Sequence, residues 1–274
     1  MRNFLLIAVL IMMISLLGVL NNLPKVLKEV LLIKKIECVK PADRPDLIEQ
    51  GLSMLRKRSD LDALGIFEVA LSEDPLNSDA LWGKAEILRR QRKYPESEHI
   101  LVELIKTNPL HISSLITLAY VRYHENKLDE SLRLIKKVLN SKCVDKENEA
   151  MAYVMLGTIN AKIASDGTIL NKIKYGTKIK PAFIKAIRLS PDLAEAHLAL
   201  GTFYMLAPSI AGGNINKALS ELQYAVKIAP DFATANARLS QAFKKSGDET
   251  KYKFYLQRAK DIDPENEVLK KEGE

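Results

Sequence analysis

From about residue 44 onward, small and apolar residues return in a single frame. Ala63, Phe67, Ala70 and Pro75 define it, with intervals of four, three and five residues. Ala218, Leu222, Ala225 and Pro230 repeat it, as do Tyr252, Leu256, Ala259 and Pro264; Phe183, Ala186 and Pro191 match its last three places. Intervals of three and four put these side chains on one stripe of a helix, and the proline ends that helix. Upstream of each block lies another helical stretch with a small residue at a fixed place, held by Gly51, Ala85, Ala119, Gly157, Gly201 and Ser240. A side chain that is nearly absent there lets two antiparallel helices approach closely. Pro75 to Pro109 and Pro230 to Pro264 each span 34 residues.

This spacing resembles the tetratricopeptide repeat (TPR), a helix–turn–helix unit of about 34 residues. The copies fall at 44–77, 78–111, 112–145, 150–193, 194–232 and 233–266, and the third has Cys143 where the proline should stand. Residues 267–274 form a polar C-terminal cap for the last exposed face. One repeat cannot bury its own apolar side, so the array reads as one solenoid. The predicted fold is all-α: a right-handed TPR superhelix of about six repeats, preceded by an N-terminal transmembrane helix. Leu81, Leu88, Leu115, Leu118, Tyr153, Leu156, Leu200, Tyr204 and Leu239 join the frame residues as expected core.

Two units are longer than the frame. Gly157 to Pro191 spans 34 residues where Gly51 to Pro75 spans 24, and Gly201 to Pro230 spans 29. Both surpluses fall between the two helices of their unit, so they are expected to emerge side by side on one edge. Pro208, Gly212 and Gly213 mark that edge as a candidate recognition site.

Composition changes the picture at the N-terminus. Of the net charge of +7, residues 1–40 carry +4, which leaves +3 for the other 234 residues. A nucleic-acid binder concentrates basic residues on a recognition element, and the body is read as not doing so. Phe4 to Leu20 is 17 residues without a charge, long enough to span a membrane with some thinning. It reads as an uncleaved anchor, with a cleaved signal peptide as the alternative. Lysines that follow it favour a cytoplasmic body, and export to the periplasm is the other reading. Residues 23–37 read as a juxtamembrane amphipathic helix, either on anionic lipid or capping the first repeat. Cys38 and Cys143 provide neither a disulfide framework nor a metal-ligand spacing.

No catalytic constellation is found. His99, His111, His124 and His197 sit in different repeats, and Gly212-Gly213 lacks the Lys-Ser/Thr of a phosphate loop. The reading is therefore a non-enzyme without metal or cofactor, and binding is the default for a solenoid. The TPR resemblance places Trp82, Glu86, Arg89, Ile116, Tyr120, Tyr123, Val154, Thr158, Leu198 and Thr202 along the concave groove. The family's clamp for a terminal carboxylate needs Asn where this chain has Glu86, Tyr120, Thr158 and Thr202, so that clamp is not supported. The lining suits an amphipathic helix or an extended apolar peptide, with Trp82, Tyr120 and Tyr123 as anchors.

Tyr204, Pro208, Gly212-Gly213 and Lys217-Ala218 look like an insertion in the T component of some TRAP transporters, a periplasmic TPR protein. Those proteins carry a lipoprotein signal, which is absent here. The stretch KIKYGTKIKPAFIKAIRLSP (172–191) with an N-terminal anchor resembles the regulator-of-microtubule-dynamics TPR family. Function therefore reads as a membrane-tethered scaffold for a protein or peptide partner, with no nucleic acid. The alternative is an envelope solute-transport accessory that binds a small apolar ligand. Oligomeric state is not legible.

Overall fold

Each period folds as two antiparallel helices, because the apolar stripe of one has nowhere to be buried except against its neighbours. The computed structural model describes residues 45–270. The apolar run 4–20, the segment 23–37 and residues 271–274 lie outside the described residues. In chain order the helices are α1 (Pro45–Arg56), α2 (Asp60–Glu73), α3 (Ser78–Arg90), α4 (Tyr94–Thr107), α5 (Ile112–His124) and α6 (Leu128–Leu139). They continue with α7 (Lys146–Asp166), α8 (Ile169–Leu189), α9 (Ala194–Leu206), α10 (Ile215–Ile228), α11 (Ala233–Ser246), α12 (Glu249–Ile262) and the short α13 (Glu267–Lys270). No strand occurs among the described residues, and none of their helices is long and apolar enough to cross a membrane.

The first helices of successive pairs pack on one another, α1 on α3, α3 on α5, and so on to α11. The second helices touch their own partner and the first helix of the next pair. Two layers result, with the odd-numbered helices forming a continuous inner one. The small residue of each first helix meets the large residue of the frame. The ring of Phe67 is fully buried between Gly51 and Gly83, where an added Cβ would stand 2.6 and 2.2 Å from it. Phe183 fills the same place against Gly157, at 2.3 Å. In the second and third pairs alanine suffices, because Leu101 and Ile135 are the facing residues. Ser97 and Ser131 stand where the frame has Ala63, and each buried hydroxyl donates to a first-helix carbonyl, Ala85 or Ala119.

Turn chemistry ends and starts the helices. Side chains of Asn77, Asp145, Asn214 and Asp248 accept from backbone N–H groups of the first turns that follow them. His111 caps α5 in the same way through Nδ1. Behind α12 the cap is not wholly polar: Val268 is buried against Ala237 and Ala259.

The surplus of the fourth unit does not form a loop. Helices α7 and α8 are each 21 residues long, and only Gly167 and Thr168 separate them. The ten extra residues thus extend both helices, although Pro181 lies inside α8. The surplus of the fifth unit is a true turn, with a 3₁₀ segment at Ser209–Ala211. The two expansions do lie together, since the Lys180 ammonium sits 3.9 Å from where a Gly212 Cβ would be.

The expected core is buried at Leu115, Leu118, Leu200, Tyr204 and Leu239 and half-buried at Leu81, Leu88, Tyr153 and Leu156. The small and aromatic places of the frame follow the same pattern. Ala63, Phe67, Ala218 and Leu222 are among the most deeply buried side chains.

Candidate functional site

The inner layer carries the residues expected along the groove, and it sorts them into two groups. Ile116 and Val154 are buried, at 6% and 7% exposure, and pack in the core. Trp82, Tyr120, Tyr123, Thr158, Leu198 and Thr202 remain half-buried. Thr158 turns its hydroxyl back onto the Val154 carbonyl.

Glu86 departs most from its expected place as a solvent-facing residue. It is 9% exposed, and its carboxylate accepts two hydrogen bonds from Arg89, at 2.7 and 2.6 Å, and one from Arg90 at 3.0 Å. The Thr117 hydroxyl donates to it at 3.2 Å and accepts from the Trp82 indole at 2.9 Å. Burial alone would raise the Glu86 carboxyl, but Arg89 and Arg90 overcome that and hold it down at about 2. Arg90 also bonds Asp60 and the Leu55 carbonyl, while Arg89 lies over the Tyr120 ring at 4.0 Å. Trp82, Glu86 and Arg89 therefore form a structural network between repeats, and Trp82 is tied into it by its one donor.

Winding of the solenoid brings distant repeats within side-chain reach. Arg58, in the turn between α1 and α2, pairs with Glu195 at the start of α9 and sits 3.8 Å over the Phe232 ring. Burial lowers its pKa to about 10 against the pull of Glu195, with Arg90 and Arg89 adding to the lowering. Arg92, in the turn between α3 and α4, forms a two-pronged pair with Asp263 at 2.9 and 3.0 Å. That hydrogen-bonded pair raises Arg92 and lowers Asp263. His124 lies 3.7 Å from Glu267 of α13.

Both arginines sit at backbone positions that resist them. Arg58 and Arg92 have φ of 66° and 62°, as does Asn126 at 61°, and the three are spaced 34 residues apart. Gly247 takes the equivalent left-handed place in the sixth pair. A bulky residue held there is strained by roughly 1 kcal/mol or more, and tolerates it only where its surroundings compensate. From that position each of the two arginines makes a long-range ion pair.

Next to Arg92 stands an aromatic cluster. Tyr94 stacks on His124 at 4.9 Å, and Tyr120 and Tyr123 approach the same imidazole at 4.7 and 5.4 Å. Burial and the neighbouring Tyr120 push the Tyr94 and Tyr123 hydroxyls up. Asp263 and Glu267 reach this cluster from the C-terminal end, so the chain's own acidic turn lies on the aromatic and basic part of the inner face.

His111 and His197 are each held by specific partners. His111 caps α5 and bonds Asp79, and His197 is buried between Glu221 at 2.6 Å and the Pro191 carbonyl at 2.8 Å. Burial lowers the His197 pKa, but the Glu221 and Pro191 contacts outweigh it and raise the ring above its usual value. At the insertion edge the turn geometry accounts for the candidate residues. Gly212 is left-handed at φ 96°, and a Cβ on Gly213 would stand 1.9 Å from the Ala207 carbonyl oxygen. Pro208 opens the 3₁₀ turn, and its carbonyl accepts from Gly213 at 3.0 Å. Among the described residues no three His, Cys, Asp or Glu side chains gather as a metal site.

No family model matches the chain. It is 24% identical over 204 residues to the peroxisomal targeting signal receptor of Komagataella phaffii, covering 72% of this chain and 33% of the receptor. It is 22% identical over 240 residues to a DnaJ homolog subfamily C member 7 homolog of Dictyostelium discoideum, covering 86% of this chain and 44% of that one. The chain thus spans less than half the length of either relative. Among solved structures, a thermophilic TPR protein of Thermus thermophilus superposes with a TM-score of 0.58 at 16% identity, covering 71% of this chain and 96% of that one. Human IFIT1, solved as a dimer with m7Gppp-AAAA, superposes at 0.60 with 19% identity, over 82% of this chain and 51% of that one. Stacked helix pairs, the 34-residue frame and these superpositions agree: the chain has the fold of tetratricopeptide-repeat proteins.

Proposed function

We propose that the protein is a non-catalytic scaffold that binds a segment of a protein partner along its inner face and is tethered to a membrane by residues 4–20. The observation that carries this reading is the placement of Asp263 and Glu267 on the Arg92, His124 and tyrosine cluster. A surface that draws an acidic turn of its own chain has the chemistry to draw an acidic segment of another. Aromatic rings beside a cation supply the apolar and charged halves of such a contact. Asp263→Ala would then loosen the intramolecular contact while leaving Arg92 in place, and partner access would rise.

The test is co-purification of the full chain with its partners, identified by mass spectrometry. Tyr120→Ala combined with Tyr123→Ala is expected to reduce recovered partner at least tenfold, as for loss of a binding anchor of about 2 kcal/mol. Gln223→Ala on the outer face of α10 is the control and should change nothing. Unchanged partners in the tyrosine variant, with the fold intact by circular dichroism, would refute the inner-face reading.

A further inference from the structure

Residues 167–191 hold Lys172, Lys174, Lys178, Lys180, Lys185 and Arg188 and no acidic residue. This is the strongest charge asymmetry of the body, and it departs from the expectation that the body does not concentrate its basic residues. It falls almost entirely on α8. None of these six forms an ion pair among the described residues. Lys172, Lys174, Lys178, Lys185 and Arg188 are exposed, and Lys180 is half-buried over the Tyr204 ring.

The same half-helix exposes large aliphatic side chains. Ile169, Leu170 and Ile173 are 76%, 77% and 63% exposed, at the tip where α7 turns into α8. In the neighbouring expansion Ile210 is fully exposed, and Lys180 and Lys217 both lie over the Tyr204 ring beside that turn. Lysines flank this aliphatic tip on the α8 side, and the acidic residue beside it, Asp166, is paired with Lys162. The tip lacks arginine, whose planar fork would suit carboxylate pairs. Long lysine stems can instead lie along an interface with their heads at phosphate level while the aliphatic tip enters the acyl boundary.

We propose that the tip of the α7–α8 hairpin is a peripheral docking surface for anionic phospholipid. The contact is independent of whatever the inner face binds. Each lysine brought to an anionic leaflet adds roughly fivefold to partitioning, so the tip's three, Lys172, Lys174 and Lys178, act together. The attraction is screened within about 10 Å at 0.1 M salt.

The test uses the full chain reconstituted in vesicles, with Ile173→Trp as a reporter and brominated lipid as quencher. The chain has one native tryptophan, Trp82, which is half-buried, and the unsubstituted protein gives its background. Quenching of the added indole is expected to be about tenfold greater with roughly 30% phosphatidylserine than with phosphatidylcholine alone, and to fall as salt approaches 1 M. Lys172→Glu, Lys174→Glu and Lys178→Glu together should abolish the difference. Equal quenching in neutral and anionic vesicles would overturn the proposal, because the apolar run 4–20 alone would then account for it. So would an indole that shifts with added polyglutamate and is not quenched by lipid, which would make the surface a site for acidic polypeptide. If I173W loses its helical circular dichroism, Leu170→Trp at the more exposed neighbouring position serves the same measurement.

Discussion

Glu86→Ala is expected to destabilise the protein by about 3–5 kcal/mol, the usual cost of removing one partner from a buried ion pair. The variant leaves Arg89 and Arg90 side by side without their shared carboxylate, and Arg58 is close enough to feel both. Glu86→Gln keeps the volume and part of the hydrogen bonding, so a large residual loss in that variant assigns the effect to charge. The wild-type carboxyl is held at about 2, below its ordinary value of 4.5, so its contribution is complete above pH 4.5. It is lost as pH falls from there towards 2, and amounts to about 3 kcal/mol. In E86Q that part of the acid limb should vanish. Urea unfolding at pH 7 and pH 3 reads both quantities. A loss below about 1 kcal/mol for E86A would mean the carboxylate is not a buried structural element.

Phe67→Ala is expected to cost about 3–5 kcal/mol, through the lost apolar burial and the cavity left behind. The ring lies against glycine on two successive first helices, so the surrounding backbone cannot close over the space by moving side chains. Gly83→Ala tests the same contact from the other side. Its Cβ would stand 2.2 Å from the Phe67 ring, which must shift or leave the core. Combined, F67A and G83A should be less damaging than the sum of the two, because the added methyl then enters vacated space. Strict additivity in thermal or urea unfolding would mean that Phe67 does not bridge the two repeats.

Much of this architecture is legible in the sequence because a solenoid is built from local contacts repeated at a fixed period. The intervals around Phe67, Phe183 and Leu222 report helix stripes, and the small residues Gly51, Gly157 and Gly201 report close helix approach. A cap by Asn214 or Asn216 is likewise readable from residue type, and Asn214 takes that place. What escapes the sequence depends on geometry that accumulates over several repeats. Arg58 and Glu195 are 137 residues apart, and Arg92 and Asp263 are 171 apart. No periodic pattern links such pairs. A signal does exist: Arg58, Arg92 and Asn126 recur at the place where the sixth pair has Gly247, and a left-handed position without glycine calls for an explanation. Glu86 reads as groove-facing because its position in the frame is solvent-exposed in a lone repeat. Arg89 and Arg90, one helical turn on, are what draw it inward. The insertion of the fourth unit is countable at ten residues but reads as a loop, since a surplus between two helices can lengthen both of them equally well.

The reading of the inner face as a protein-binding surface is tested most directly by photocrosslinking from within it. A photoreactive residue would replace Tyr123, on the inner face, or Gln223, on the outer face, in the full chain. The expected result is a crosslink from position 123 to one polypeptide segment rich in acidic residues, strengthened by Asp263→Ala and absent from position 223. The same crosslinked products from both positions, or none from position 123 in a folded protein, would contradict it.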